Sequence, residues 1–422
     1  MNTIYDMKKN LFFILSPISL TVLFGVLLLV LVGNTHPINA FENAIEYKFV
    51  KKWGGAGSDD GQFLRPHDID FNKEETILYI VDRDGSRIQA FDKDGNFIFK
   101  FGEAGTDDGQ MHVPYGIDID TEGNVWLADR ANDRVQKFDS EGNFILKFGS
   151  EDGKPSEEEG KFDNPRDVVV RHDLKYVYVA DSKNHRISQF DINGTYIKSI
   201  GKLGNKSGEF NLPTTIEIDS TGNFFINERG NERIQKFDSN WNPLLMWGGK
   251  GSGDSQFCHI EHIALDKYDN VYVTDPQSDP GCSQQPRVLK FDSEGNFITK
   301  FGGTFGKEDG QFQDPEHPAV DSEGNVYISD RKRDDIQKFA PVVETSSSEA
   351  ILNNSTTTTN LISQSSSQQV DTPTKKMNTN VLSEMAPKLA NTTKKIDVKA
   401  WDELFGNWSN RNFFIKQNDK YK

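Results

Sequence analysis

The chain has very little cysteine, since only Cys258 and Cys282 occur among its 422 residues. Two cysteines exclude a disulfide-rich scaffold, and no CxxC pair provides the spacing of a zinc finger. Outside the cytoplasm we expect a disulfide between Cys258 and Cys282, which would close a loop of about 24 residues and stabilise it by a few kcal/mol. The alternative is two unpaired thiols.

Basic residues are scarce relative to acidic ones. The chain contains 48 Lys and Arg against 64 Asp and Glu, a net charge of −16. An acidic surface repels phosphate backbones, so the sequence predicts no nucleic-acid partner. The chain also lacks a nucleophile elbow, a P-loop and an HExxH motif, so the enzyme classes that those motifs define are not indicated.

Long apolar stretches are missing, with one exception near the start of the chain. Residues 11–33 contain no charge, follow two lysines and are long enough to span a bilayer. We expect residues 1–43 to hold either a transmembrane anchor after a cytoplasmic stub or a signal peptide cleaved near Ala40 or Ala44. The first alternative predicts a single-pass cell-membrane protein with the remainder outside, and the second predicts a secreted protein.

The chain does contain a sequence pattern that recurs six times. One copy is GIDIDTEGNVWLADRANDRVQKFDSEGNFILKFG at 116–149. An acidic or amide residue closes the second apolar run of each copy, at Asp82, Asp129, Asp181, Asn227, Asp275 and Asp330. The spacing between these residues, from 46 to 55, is typical of β-propeller blades.

Each copy holds four short apolar runs separated by turns of the D-x-x-G-N type. In the second copy these runs lie at about 115–119, 124–129, 133–138 and 143–148. Four antiparallel strands form one blade, so the sequence predicts an all-β, six-bladed β-propeller over residues 44–343. The sixth copy stops after three strands, and we expect the strand-like segment 45–54 to complete that blade and close the ring.

These repeats resemble NHL repeats. The motif P-x-x-I-x-(V/I)-D…G-N-x-(Y/W)-(V/I)-x-D…N-x-R-I-Q-x-F-D…G-x-F-(I/L)-x-x-(F/W)-G matches nearly throughout 49–343, about 70% of the chain. Asn184-His185-Arg186 comes close to the tripeptide that names the family. The resemblance implies a six-bladed propeller with a binding face at one rim, but no single activity, because this fold hosts many functions.

The first positions of the innermost strands are the main candidates for a binding site, because in propellers they surround the channel at one face. In blade order, the candidate ligand-binding residues are His67, Asp68, Tyr115, Arg166, Asp167, Thr214, Glu261, His262, Glu316 and His317. The expected partner at this ring is a protein, peptide or glycan of the cell surface.

Three histidines of this ring, His67, His262 and His317, belong to neighbouring blades. Imidazoles beside carboxylates suit zinc or a similar divalent ion, so we expect a metal site here or, alternatively, ordinary polar residues at a wet channel mouth. Calcium is a second candidate cofactor, because the Gly- and Asp-rich loops at 54–63 and 102–111 offer oxygen ligands. Plain polar turns are the alternative for those loops.

A more distant resemblance is to the lyase that cleaves peptidyl-hydroxyglycine to an amide. In that family, zinc-binding histidines follow a proline at the start of the inner strand in alternate blades, and Pro66-His67 matches this pattern. The equivalent positions in blades three and five hold Arg166 and Glu261, so two of the three ligands differ.

Arginines recur near the same rim in two sets. Asp-Arg steps place Arg83, Arg130 and Arg331 after the second strands, and a second set precedes the third strands at Arg87, Arg134, Arg186, Arg233 and Arg287. Because nearly every blade repeats them, a structural role in tying turns to strands is favoured. The alternative is an arginine-lined rim that binds a carboxylate or an acidic glycan.

The C-terminal part has a different composition. Residues 344–398 are rich in Ser, Thr, Asn and Gln, which predicts a disordered linker. Residues 399–422 regain aromatic side chains and are interpreted as a short segment that docks on a partner or on the propeller. Asn193 and Asn205 are among the asparagines that begin N-x-S/T sequons, which are compatible with surface glycosylation.

Two hypotheses for function follow from these patterns. The first is a binding module, tethered to the membrane outside the cytoplasm, that holds a ligand on its central face. The alternative is a metal-dependent lyase or hydrolase resembling the amidating lyase. A purely structural component of the cell surface is a third interpretation. Whether the chain is an enzyme is left open by its sequence.

Overall fold

The structure, a computed structural model, describes residues 46–342 apart from residues 172, 174 and 277–285. The described residues form 24 β-strands in six four-stranded antiparallel sheets. The prediction of an all-β, six-bladed β-propeller is therefore confirmed.

The strands of each blade run in chain order from the channel to the outer edge. Blade one contains β2 (Pro66–Phe71), β3 (Leu78–Asp82), β4 (Arg87–Phe91) and β5 (Phe97–Phe101). Blade two contains β6 (Pro114–Ile119), β7 (Val125–Asp129), β8 (Arg134–Phe138) and β9 (Phe144–Gly149). Blade three contains β10 (Pro165–Arg171), β11 (Tyr176–Asp181), β12 (Arg186–Asp191) and β13 (Tyr196–Ile200). Blade four contains β14 (Pro213–Ile218), β15 (Phe224–Glu228), β16 (Arg233–Phe237) and β17 (Pro243–Gly248). Blade five contains β18 (Ile263–Leu265), β19 (Val271–Asp275), β20 (Arg287–Phe291) and β21 (Phe297–Gly302). Blade six contains β22 (Pro315–Val320), β23 (Val326–Asp330) and β24 (Asp335–Val342).

The sixth blade is completed by the first strand of the described chain. Strand β1 (Glu46–Gly54) pairs antiparallel with β24, from Glu46 opposite Val342 to Gly54 opposite Asp335. The sheet order β1-β24-β23-β22 confirms that an N-terminal strand closes the ring. Strand β1 thereby covers the edge of β24 that would otherwise be unpaired.

The apolar core lies between neighbouring blades. One cluster joins Tyr79 and Val81 of blade one to Ile117 and Leu127 of blade two, and similar clusters join the other pairs. The second and third strands are buried nearly throughout, whereas the outermost strands alternate between half-buried and exposed positions. The alternating sequence of the fourth run in each repeat reflects this one-sided burial.

A carboxylate-arginine pair fixes the loop before each of the first five blades. In blade one, Asp82 accepts hydrogen bonds from Leu64 N at 2.6 Å and from Arg87 Nε at 2.7 Å, while the guanidinium donates to loop carbonyls. The structural interpretation of the second arginine set is confirmed, because Arg134, Arg186, Arg233 and Arg287 repeat this arrangement.

Blade four corrects one detail of the repeat alignment. The residue paired with Arg233 is Glu228, at 2.6 Å, and not its neighbour Asn227. Asn227 instead turns inward, and its Oδ1 accepts hydrogen bonds from Thr214 Oγ1 and Thr215 N at 2.7 and 2.6 Å. Glu228 therefore takes in blade four the place that aspartate takes in blade one, opposite the first proline of the innermost strand.

Several predictions concern residues that the structure does not describe. Within the described part of 46–342, no helix is both long and apolar enough to cross a membrane. The segment 11–33, the linker 344–398 and the segment 399–422 lie outside the described residues, and their predicted roles stay predictions.

Candidate functional site

The first positions of the innermost strands form two stacked layers of side chains in the channel. The strand register shifts in five blades directly after the first strand residue, as between Pro66 and Ile69. Such bulges re-aim side chains, and here they turn two residues per blade into the channel. All ten candidate ligand-binding residues are buried.

His67, His262 and Glu316 form the group best suited to a metal ion. One ligand atom from each lies within 4.8 Å of the others, and all three residues are buried. His67 Nε2 and Glu316 Oε2 face each other at 3.3 Å without a hydrogen bond, and His262 Nε2 has no hydrogen-bond partner among the described residues. Buried polar atoms without partners are unfavourable unless another species completes the site.

Both imidazoles of this group are held in the form that binds metals. Burial, followed by the charges of nearby groups including Arg331 and Arg166, lowers the pKa of His67 well below its usual value and that of His262 to about 3. The Thr215 hydroxyl lies 3.0 Å from His262 Nδ1 and fixes the orientation of this ring, which leaves Nε2 for the shared site.

His317, the third predicted metal ligand, has a different neighbour. Its Nδ1 lies 3.0 Å from Asp68 Oδ1, and its ring centroid is 5.0 Å from that of His262. The side chain is therefore next to the group, but Glu316 occupies the third ligand place. Glu316 directly follows Pro315 as His67 directly follows Pro66, so these two side chains take equivalent places in neighbouring blades, and His317 is one residue further along the strand beside Asp68.

Three other candidate residues join blades. Asp68 accepts the Ile117 amide at 3.0 Å, and Asp167 accepts the Ile216 amide at 2.8 Å. Thr214 donates to Asn227 and is 3.0 Å from the Glu261 carbonyl oxygen. These hydrogen bonds connect neighbouring innermost strands, so the three residues shape the channel rather than present free groups to a ligand.

An arginine cluster covers the upper layer. The guanidinium carbons of Arg83, Arg130 and Arg166 lie 5.7, 4.8 and 5.1 Å from the centre of the Tyr115 ring. Arg166 is only 8% exposed, yet its Nε and Nη1 have no hydrogen-bond partner in the described part of the chain. Planar guanidinium donors left unpaired beside an aromatic face suit a carboxylate.

Glu261 balances part of this positive charge. Its Oε1 lies 2.7 Å from His259 Nε2 and 3.5 Å from Arg229 Nη2, and its Oε2 lies 3.9 Å from Arg166 Nη1. Burial opposes ionisation, but the His259 hydrogen bond and the arginines hold the pKa of Glu261 below its usual value. Glu261 is thus a buried anion that orients two arginines and is not a free acid.

Two arginines complete the cluster from opposite sides. Arg331 Nη1 lies 2.8 Å from Glu316 Oε1, which connects the arginines to the metal-capable group. Arg229 was missed by the sequence reasoning, because the repeat was aligned on Asn227. A signal for it existed, since Glu228-Arg229 is the blade-four counterpart of the Asp-Arg steps.

The lower half of the channel carries a second set of acidic side chains. Asp118 Oδ2 accepts the Val170 amide at 2.6 Å, and Asp70 Oδ2 accepts the Ile119 amide at 2.9 Å. Glu217 lies in the same region and lines a cavity of about 130 Å³ together with Asp70 and His317. Burial, with a smaller addition from neighbouring carboxylates, raises the pKa of each of these carboxyls, that of Asp118 to about 7.

The predicted disulfide is only partly within the described structure. Cys258 is buried directly before the first strand of blade five, and its amide donates to Asp275 at 2.9 Å. Cys282 lies outside the described residues, so the bridge stays a prediction. The Gly- and Asp-rich loops at 54–63 and 102–111 accept hydrogen bonds from Arg87 and Arg134 through backbone carbonyls, and calcium binding there stays a prediction.

The fold and this channel site define a six-bladed β-propeller with a metal-capable, arginine-covered centre. No protein-family model matches the chain. A protein named probable peptidyl-alpha-hydroxyglycine alpha-amidating lyase, from Caenorhabditis elegans, is 27% identical over 173 residues, which cover 36% of this chain and 48% of that protein. NHL repeat-containing protein 3 of Homo sapiens is 30% identical over 137 residues, covering 29% and 39%.

The sequence resemblance to NHL-repeat proteins and to the amidating lyase is thus confirmed over part of the chain, which spans less than half the length of either relative. A solved structure from Bacteroides thetaiotaomicron, a protein of unknown function, superimposes with a TM-score of 0.53 at 16% identity. That alignment covers 71% of this chain and 76% of the other, and it shows a shared fold alone.

Proposed function

We propose that the propeller binds a carboxylate-bearing protein, peptide or glycan on its central face, beside a divalent metal ion held by His67, His262 and Glu316. The observation that carries this proposal is the convergence of three buried ligand atoms near Arg166, whose Nε and Nη1 have no hydrogen-bond partner among the described residues. The predicted location is part of the proposal: the propeller acts outside the cytoplasm, tethered through residues 11–33 or secreted.

The residues present fit a metal ion. Two neutral imidazoles and one carboxylate are a common ligand set for zinc and leave a position open for a ligand or water. The hydroxyl of Thr215 and the guanidinium of Arg331 hold His262 and Glu316 from behind, as supporting contacts do in metal sites. Nitrogen donors favour zinc over calcium at this place.

The arginines supply the second half of the proposed recognition. The guanidinium groups of Arg166, Arg130 and Arg83 all lie near the Tyr115 ring, and the centroid of this ring is 3.5 Å from that of His67. A carboxylate bound there would satisfy the unpaired donors of Arg166 and offset the mutual repulsion of the guanidinium groups.

The metal half of the proposal is tested by elemental analysis of the purified full chain. We expect about one zinc or similar ion per chain, lost in a His67→Ala, His262→Ala double variant and in Glu316→Gln, but retained in His112→Ala, which removes an exposed histidine. A metal-free protein, or equal metal in all variants, would refute the site.

The ligand half is tested with polyglutamate and polygalacturonate as anionic probes. We expect salt-sensitive binding that weakens at least tenfold in Arg166→Ala and is unchanged in Arg65→Ala, an exposed arginine paired with Asp84. Binding that ignores both salt and Arg166 would show that the arginine cluster is not the binding surface.

A metal-dependent lyase or hydrolase is the second candidate, supported by the similarity to the amidating lyase and by the open metal position. A bound divalent ion would polarise a substrate oxygen. The chain's own residues would hold a substrate carboxylate through Arg166 and exclude water through the buried ring. Turnover of a peptidyl-alpha-hydroxyglycine by the metal-loaded full chain, lost in Glu316→Gln, would favour this candidate over a binding module.

A further inference from the structure

We propose that Asn193 and Asn205 carry N-linked glycans, an inference that rests on the proposed location outside the cytoplasm. Asn193-Gly194-Thr195 and Asn205-Lys206-Ser207 are N-x-S/T sequons. The asparagine and the hydroxyl residue of each sequon are exposed. In both cases the residue that completes the sequon is the one that departs from the residue type found at that place in other blades.

The first sequon lies in the turn between β12 and β13. In the four other turns of this kind, the last residue is an asparagine whose Nδ2 donates to the first aspartate at 2.7–2.8 Å, namely Asn96, Asn143, Asn242 and Asn296. Blade three has Thr195 there, which keeps the backbone bond to Asp191 at 2.8 Å and also contacts the Asp191 carboxylate through its side chain. The substitution replaces the asparagine amide by the hydroxyl that the acceptor sequence requires.

The second sequon lies in the loop before blade four. Four of the six such loops tie an aspartate to a lysine of the outer strand, at Asp60–Lys100, Asp108–Lys147, Asp254–Lys300 and Asp309–Lys52, with N–O distances of 2.5–2.8 Å. Blade four has Ser207 and Met246 at these two positions, by the shared strand register. This loop therefore lacks the charged tie and presents Asn205 instead.

The modification itself is a group transfer. The Asn Nδ2 forms a bond to the anomeric carbon of an oligosaccharide activated as a lipid-linked phosphate or pyrophosphate. The carbon–oxygen bond to phosphate breaks, the phosphate leaves with the electron pair, and the amide loses one proton. The cell supplies both the activated donor and the transferase. Each glycan would lie at the outer edge of blades three and four, where Leu244 and Met246 are 54% and 46% exposed.

The test is glycopeptide mass spectrometry on the full chain purified from its own cells, together with protease accessibility of the propeller in intact cells. We expect glycan mass on Asn193 and Asn205 and none on Asn240, which occupies the same turn position as Asn193 in blade four without a sequon. Thr195→Asn and Ser207→Asp restore the repeat at each place, so they should fold and lose the glycan, whereas Thr195→Ser should keep it.

The outcomes separate the two proposals. An accessible propeller with unmodified Asn193 and Asn205 overturns the glycan inference and leaves the location intact. An inaccessible propeller overturns the location and the glycan inference with it. Glycan that persists in Thr195→Asn and Ser207→Asp would show that the attachment sites lie elsewhere and also overturns the inference.

Discussion

Replacing Asp118 by asparagine should stabilise the propeller at neutral and alkaline pH. Burial raises the pKa of Asp118 to about 7, from 3.8 in an unfolded chain, and Glu217 and Asp70 nearby are also acidic. Because the pKa of Asp118 is higher in the folded state than in the unfolded chain, ionisation of this carboxyl opposes folding. The contribution of Asp118 to the free energy of unfolding is fully present below about pH 4 and is lost as pH rises through 7. Asparagine keeps an oxygen for the Val170 amide and removes the charge.

The size of the effect follows from the shift. About three pKa units correspond to at most about 4 kcal/mol, since one unit is about 1.4 kcal/mol. In a domain of this size such a change raises the melting temperature by roughly 8 °C. We expect Asp118→Asn to melt at the same temperature as the parent at pH 4 and several degrees higher at pH 8, measured by thermal scans across that range.

A matched control has the opposite sign. Asp139 lies in an exposed turn, where the Asn143 side chain holds its pKa below the usual value. Its stabilising contribution is present above the pKa of the unfolded chain and is lost as pH falls. Asp139→Asn should therefore be slightly less stable than the parent protein at pH 8 and as stable as the parent at pH 3. An Asp118→Asn variant that gains equally at pH 4 and pH 8, or gains nothing at pH 8, would refute the reasoning.

Three further predictions concern other contacts. Glu228→Ala should destabilise the fold by about 3 kcal/mol in chemical denaturation, because it leaves the buried Arg233 unpaired; an unchanged midpoint would contradict the pairing. Thr215→Val should weaken zinc binding by about tenfold in competition titrations while leaving the melting temperature of the metal-free protein nearly unchanged, since only the orientation of His262 is lost. Gly149→Ala should destabilise by about 2 kcal/mol, because φ is +117° there and an added Cβ would lie 2.7 Å from a phenylalanine ring; equal melting temperatures would show that the turn can relax.

The fold was predictable because its determinants are local and repeated. The turn at Asp120 and the alternation of the outer strands can be seen within one repeat, and six copies identify the blade unambiguously. The site was predictable only in part. The repeat places His67 and Glu316 at one level and His262 at the next, but bulges decide which side chains converge, and no sequence period reports them.

The acidic lower channel illustrates a signal that was present but not used. Asp70, Asp118 and Glu217 occupy the same position of the innermost strand in blades one, two and four, each between two apolar residues. A charged residue in the middle of a buried strand marks the channel side of that strand. The pairing of Glu316 with Arg331 left no such mark, because it depends on how the start of β22 lies beside the turn that follows β23.

The shared sixth blade has a mechanical consequence. Glu46 lies opposite Val342, so the two ends of the propeller leave the ring side by side, at one corner of one blade. Tension applied between the two ends would act on a single hydrogen-bonded pair at a time, starting at Glu46 and moving toward Gly54, in the manner of a zipper and not of a strand pulled in shear. Strands part at lower force in that geometry, so the ring would open at this seam while the five other blades were still folded.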